Sequence, residues 1–144
     1  MEQIQIRQAF NAPVKQVFNT LCDHETFGKI IGARINRIKD GEDGHTNGLG
    51  SIRRIAMLPG VYFEETVVSF VPYQLMEYLV SKGSPVKNHL GRMVFEEKDG
   101  VTTLNYSIRF EPKLPLPGFG KLLKPLIAGP IVKGLKKLAD GYST

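Results

Sequence analysis

The sequence holds a single cysteine, Cys22, so no disulfide can form within the chain and no thiol pair is spaced for metal or redox chemistry. A long apolar run is also missing. The longest uncharged one, residues 125–132, falls far short of the roughly 20 residues a membrane-spanning helix needs. The first residues, EQIQIRQAF, lack the basic-then-apolar pattern of a secretory signal, which makes a soluble cytoplasmic protein the expectation. No nucleophile elbow, Walker loop, dinucleotide fingerprint, HExxH or CxxC occurs, and the enzyme classes those motifs serve lose their support. Acid is scarce at one end. Residues 113–144 carry six lysines against Asp140 alone, whereas residues 1–112 carry thirteen charges of each sign. That excess reads either as a solvated helix face or as a surface for anionic lipid.

What is present begins with the closing stretch, residues 119–142, the one long helical pattern in the chain. Ile131, Leu135, Leu138 and Tyr142 recur at spacings of three and four, with Lys133, Lys136 and Lys137 opposite. An earlier stripe of Phe119, Leu122, Leu123, Leu126 and Ile127 points away from the later one at 100° per residue. Gly129-Pro130 lies between them, and Pro130 donates no hydrogen bond to the preceding turn, so the pattern predicts a kink or short break there. Pro125 fits a first turn if the helix begins near Leu122.

Ahead of this helix the chain reads as strands. Residues 3–10 alternate, with Ile4 and Ile6 on one face. Asn11-Ala12-Pro13 is a capping sequence for a short helix ending near Cys22, and Asp23 caps a second short helix through Ile30. Residues 33–39 form a weak strand. Residues 51–58 and 61–71 flank Pro59-Gly60 as a hairpin, which sets Ile52 opposite Val67, Arg54 opposite Glu65 and Ala56 opposite Phe63 on one face. A turn at Val71-Pro72 brings Met76, Tyr78 and Val80 to that same side. Residues 88–98 and 101–112 flank Asp99-Gly100, a strong type I′ signal, so that His89 faces Phe110, Gly91 faces Ile108, Met93 faces Tyr106 and Phe95 faces Leu104. Arg92, Glu96, Thr103, Asn105, Ser107 and Arg109 make the opposite face wet. Gly91 removes a side chain from the apolar face, which lets a helix or ligand approach the backbone.

The glycine-rich acidic loop 40–50 fails as a calcium loop, because its fifth, sixth and twelfth positions are Gly44, His45 and Ser51; a flexible turn is expected. His24, His45 and His89 lie on different elements, so no metal site and no cofactor are expected. Cys22 ends an amphipathic helix and reads as a small buried hydrophobe.

One domain, residues 1–144, is long enough to bury about two thirds of its unfolded surface. A strand, two short helices, six strands and a long final helix make an α+β domain in which a curved antiparallel sheet grips one helix. The stretches Asn11-Ala12-Pro13-Val14 with Val17-Phe18 and Leu21, Gly48-Leu49-Gly50-Ser51-Ile52-Arg53, Glu64-Glu65-Thr66-Val67 to Pro72 with Leu75 and Tyr78, and LLKPL at the final helix resemble the SRPBCC superfamily, most closely its bacterial polyketide cyclase/dehydrase-like branch. That resemblance implies a seven-stranded helix-grip (START-like) fold whose cavity between sheet and closing helix takes lipids, polyketides or other apolar molecules. It carries no shared catalytic signature.

Three readings of function follow. A binder or carrier of an apolar small molecule is favoured, with Arg54, Phe63, Glu65, Tyr78, His89, Gly91, Met93, Tyr106 and Ile108 as the inward-facing ligand set. A cyclase, dehydratase or hydrolase would draw acids and bases from Glu65, Tyr78, His89 and Tyr106. A lipid or quinone chaperone would touch an anionic membrane through the lysine-rich helix. Nucleic acid is not an expected partner, and monomer and homodimer both stay open.

Overall fold

In the computed structural model, which describes residues 1–58 and 60–142 and only the backbone of Met57 and Leu58, the strand-like stretches form seven strands and the three helical stretches form helices. β1 (Glu2–Phe10) is followed by α1 (Val14–Leu21) and α2 (His24–Ile31). Then come β2 (Arg34–Lys39), β3 (Ile52–Leu58), β4 (Val61–Val71), β5 (Leu75–Lys82), β6 (Val86–Lys98), β7 (Val101–Pro112) and α3 (Phe119–Gly141). The strands make one antiparallel sheet in the order β1-β7-β6-β5-β4-β3-β2. β1 and β2, neighbours in sequence, therefore stand at opposite edges, and the pair α1–α2 connects them. This is the helix-grip arrangement the sequence pattern led to.

Local chemistry sets the element ends. Asp23 caps α2, its carboxylate accepting from the Thr26 amide at 3.0 Å, and Gly32 ends the helix at φ 74°. α1 starts after Pro13 with no side-chain cap, so the cap expected from Asn11 is not made. Asp99 and Gly100 both take positive φ, and the β6–β7 register is the expected one: Gly91 opposite Ile108, Met93 opposite Tyr106, Phe95 opposite Leu104. The His89–Phe110 pairing does not form, because a register shift between Lys87 and Leu90, with Asn88 at φ 51°, displaces the end of β6.

The β3–β4 hairpin departs further. Next to the turn, Leu58 pairs with Val61 as expected, although Pro59 of that turn lies outside the described residues. A bulge between Ala56 and Leu58 then moves the register by one, so Glu65 pairs with Arg53 and Glu64 with Arg54. With a side-chain period of two, that single residue turns β3 over: Arg53 and Ile55 face inward, while Ile52, Arg54 and Ala56 do not. β5 starts at Leu75, two residues after the expected Tyr73, yet Tyr78 still sits opposite Val67 on the inner face.

α3 runs unbroken through Pro125 and Pro130, and the predicted break is absent. Its register is not corrected midway. Instead Leu123 and Ile127 turn inward while Leu122 and Leu126 remain 61% and 67% exposed. The helix starts at Phe119, so Pro125 falls past its first turn. Farther on, Ile131, Leu135 and Ala139 are buried, and Gly134 is so close to α2 that an added Cβ would lie 2.2 Å from the Ile30 carbonyl oxygen. The loop 40–50 is tied down, not a free turn: Gly41, Glu42 and Gly48 amides bond within it, and Asn47 accepts from the His24 amide and donates to Asp23.

Candidate functional site

Between the inner face of the sheet and the first half of α3 lies a cavity of about 280 Å³, and a second hollow of about 240 Å³ shares Phe63, Glu65, His89, Leu126 and Ile127 as walls. The floor comes from strand residues of even and odd register that the bulges bring to one face: Arg53 and Ile55 from β3, Phe63 and Glu65 from β4, Tyr78 from β5, Tyr106 and Ile108 from β7. His89 of β6, Ile35 of β2, Phe27 and Ile31 of α2, and Leu126, Ile127 and Ile131 of α3 add to it. Most of these are aliphatic or aromatic, so the space favours an apolar occupant.

One polar cluster interrupts the apolar lining. Arg53, 2% exposed, donates from Nε to Glu65 Oε1 at 2.8 Å, and its Nη2 is ion-paired with the same oxygen at 2.8 Å. Its guanidinium carbon stands 4.3 Å from the centre of the Tyr78 ring and 5.2 Å from that of Phe27, which places aromatic faces against the cation. Burial alone would lower the arginine's pKa, but the attraction of Glu65 outweighs it and the charge is held more firmly than usual. His89 accepts the Val80 amide at Nδ1, so its proton sits on Nε2, which is 3.9 Å from Glu65 Oε2. Burial lowers the pKa of that ring. The hydroxyls of Tyr78 and Tyr106 bond to each other, and burial pushes both phenols up.

The sequence matches, over residues 1–141, the family described as polyketide cyclase / dehydrase and lipid transport. The chain belongs to this family. Solved structures agree on the fold. A Thermobifida fusca protein determined by solution NMR has a TM-score of 0.79 at 19% identity, covering 99% of this chain and 94% of its own. A START superfamily protein from Mycobacterium smegmatis gives 0.78 at 16%, covering 96% and 97%. Ara h 8.0201 gives 0.69 at 17%, covering 97% and 98%. No protein of curated function matches the sequence.

Within this member of the polyketide cyclase/dehydrase family, six of the nine expected ligand-set residues wall the cavity: Phe63, Glu65, Tyr78, His89, Tyr106 and Ile108. Three do not. Arg54 is on the other side of the sheet, where it pairs with Glu64 at 3.2 Å and covers the Tyr62 ring, because the β3 bulge reverses its direction. Met93 faces inward but is wholly buried in the core. Gly91 faces inward too, and its missing side chain makes room for the Tyr78 ring: a Cβ there would lie 2.3 Å from Tyr78 Cζ. The glycine thus serves a neighbouring phenol, where the sequence suggested a helix or ligand. Sequence reasoning missed Arg53 and Phe27, and although it set the closing helix against the cavity it named none of the α3 residues that wall it. The adjacent identical residue at 54 hid the first, since an Arg-Arg pair offers the same charge to either face.

Other groups weighed from the sequence lie elsewhere. Cys22 is buried and its thiol is pushed up by desolvation, as a small hydrophobe's would be. His24 opens α2 and bonds Ser51 Oγ at 2.9 Å, His45 lies in the 40–50 loop, and His89 is on β6.

Proposed function

We propose that the chain binds and carries an apolar small molecule in the cavity between the sheet and the first half of α3. The observation that carries this reading is an apolar lining with a single, internally neutralised polar cluster at Arg53–Glu65. Turnover is less well supported by the same groups. Tyr78 and Tyr106 are held protonated against each other and Arg53 takes Glu65 Oε1, so the one acceptor these groups leave for a substrate proton is Glu65 Oε2. Native mass spectrometry of protein purified without detergent should show a retained small molecule. An uncharged dye such as Nile red should bind, and Ile127→Trp, which fills the space, should weaken it at least about tenfold, or roughly 1.4 kcal/mol. Dye binding untouched by Ile127→Trp would overturn the reading.

A second reading, delivery at an anionic bilayer, rests on a specific surface. Leu114, Leu116, Leu122 and Leu126 are each more than half exposed, beside Lys113, Lys121 and Lys124, and Leu126 also walls the cavity. Apolar side chains at the cavity wall flanked by lysines fit an acidic lipid surface. Sedimentation with phosphatidylserine vesicles should show salt-sensitive binding that Leu122→Asp with Leu126→Asp abolishes. Equal association with neutral vesicles, or self-association without lipid that the same variant removes, would refute it.

A further inference from the structure

We infer that the molecule held in this cavity presents a neutral oxygen acceptor, a carbonyl or a hydroxyl, to Nη1 of Arg53, and that the cavity discriminates against an ionised carboxylate. This rests on the binding reading above and sharpens it. The side-on edge of the guanidinium, Nε with Nη2, is used on Glu65. Tyr78 and Phe27 stand against its faces. What remains is the end-on edge, and Nη1 is buried there with no hydrogen-bond partner. A buried donor left unmet is costly, and Arg53 borders the cavity, so an acceptor oxygen from the occupant is the natural complement once a neighbouring side chain gives way to admit it to Nη1.

Charge decides which oxygen. Among the described residues walling the two hollows, Arg53 is the one arginine or lysine and Glu65 the one carboxylate, so the pair is already neutral. A second carboxylate would set two anions around one buried cation. No other cation is at hand: Arg54 is engaged with Glu64 beyond the sheet, and the proton on His89 Nε2 belongs to a neutral ring directed toward Glu65. A ketone, ester, quinone or alcohol oxygen takes the free donor without adding charge. The rest of the molecule then lies along Ile108, Ile127 and Phe63.

The test is displacement of Nile red by four ligands of one chain length: methyl nonyl ketone, undecanol, undecane and undecanoate. In the wild-type protein the ketone and alcohol should displace the dye about tenfold or more better than undecane or undecanoate. Glu65→Gln leaves the arginine uncompensated and should reverse the order, making undecanoate the best of the four. Arg53→Met should erase the advantage of the ketone over undecane. As a check independent of variant folding, the carbonyl stretch of carbon-13 labelled ketone bound to wild type should lie below its frequency in hexane. Wild-type preference for undecanoate, equal displacement by ketone and undecane, or an unshifted stretch would each overturn the inference while leaving the cavity reading intact. Absence of any dye uptake would instead retire the cavity reading.

Discussion

The two halves of α3 meet the rest of the molecule in different ways. Beyond Pro130, Ile131, Leu135 and Ala139 are buried and Gly134 lets the helix approach the α2 backbone to a distance no side chain would allow. Before Pro130, Leu123 and Ile127 reach inward only far enough to wall a cavity, Leu126 edges it while mostly exposed, and Leu122 faces out. A close-packed interface tolerates neither loss nor gain of volume, whereas a cavity wall is not completed by protein atoms. One continuous helix thus separates anchoring from binding, and substitutions along it should sort accordingly.

The widest difference is expected from the same change made in each half. Leu135→Ala should cost about 2–5 kcal/mol of unfolding free energy, as for a fully buried leucine, while Leu126→Ala should cost under about 0.5 kcal/mol. Urea unfolding measures both, and similar losses would erase the distinction. Next in size is Gly134→Ala, which forces α2 and α3 apart and should destabilise by about 1–3 kcal/mol. Gly141→Ala, near the same helix end with open space around it, is the control and should stay within about 0.5 kcal/mol.

Acid probes two buried histidines, His24 at the start of α2 and His89 at the cavity. Burial, with Arg53 and Arg37 adding to it, pushes His24 down to about 3, and burial also lowers His89 in the cavity. Between the ordinary histidine value and those lowered values the unfolded chain binds more protons than the folded one. Stability should therefore fall as pH drops from about 6.5 toward 3, with a slope approaching about 1.4 kcal/mol per pH unit from His24 and a further contribution in the same direction from His89. His24→Gln should flatten that slope in urea titrations; an unchanged slope would show that its ring is protonated in the fold. The smallest effect belongs to the exposed lysines. Lys133→Gln, Lys136→Gln and Lys137→Gln together should change stability and Nile red affinity by less than about 0.5 kcal/mol each.

How far these features could be read from residues alone follows from where the signal is local. Asp99-Gly100 carries its own turn geometry, so the β6–β7 faces were legible down to the pairing of Met93 with Tyr106. The β3 face was not, because one bulge beyond the turn decides it and neither Ile52-Arg54-Ala56 nor Arg53-Ile55 is apolar enough to force a choice. Glu65 was correctly placed on the inner face with the wrong arginine. At α3 the disagreement between two apolar stripes is real, but the chain resolves it by leaving Leu122 and Leu126 in solvent instead of breaking at Pro130. Tyr78 over Gly91 was beyond reach, since a missing side chain says that something comes near without saying what.

The order of the sheet has a consequence for how the chain comes into being. Among the described residues β1 pairs with β7 alone, so Glu2 through Phe10 must wait for Thr102 through Phe110 before their backbone groups find ladder partners. During synthesis that delay spans about a hundred residues, on the order of ten seconds at ordinary elongation rates. The hairpins from β2 to β6 can assemble meanwhile, but the sheet stays unclosed at its β7 edge and α3 has not yet been made. The cavity consequently cannot form until α3 has been made. A nascent chain has nowhere to hold a ligand, and the unpaired β1 segment is the portion of the newborn protein most in need of protection from pairing with another strand.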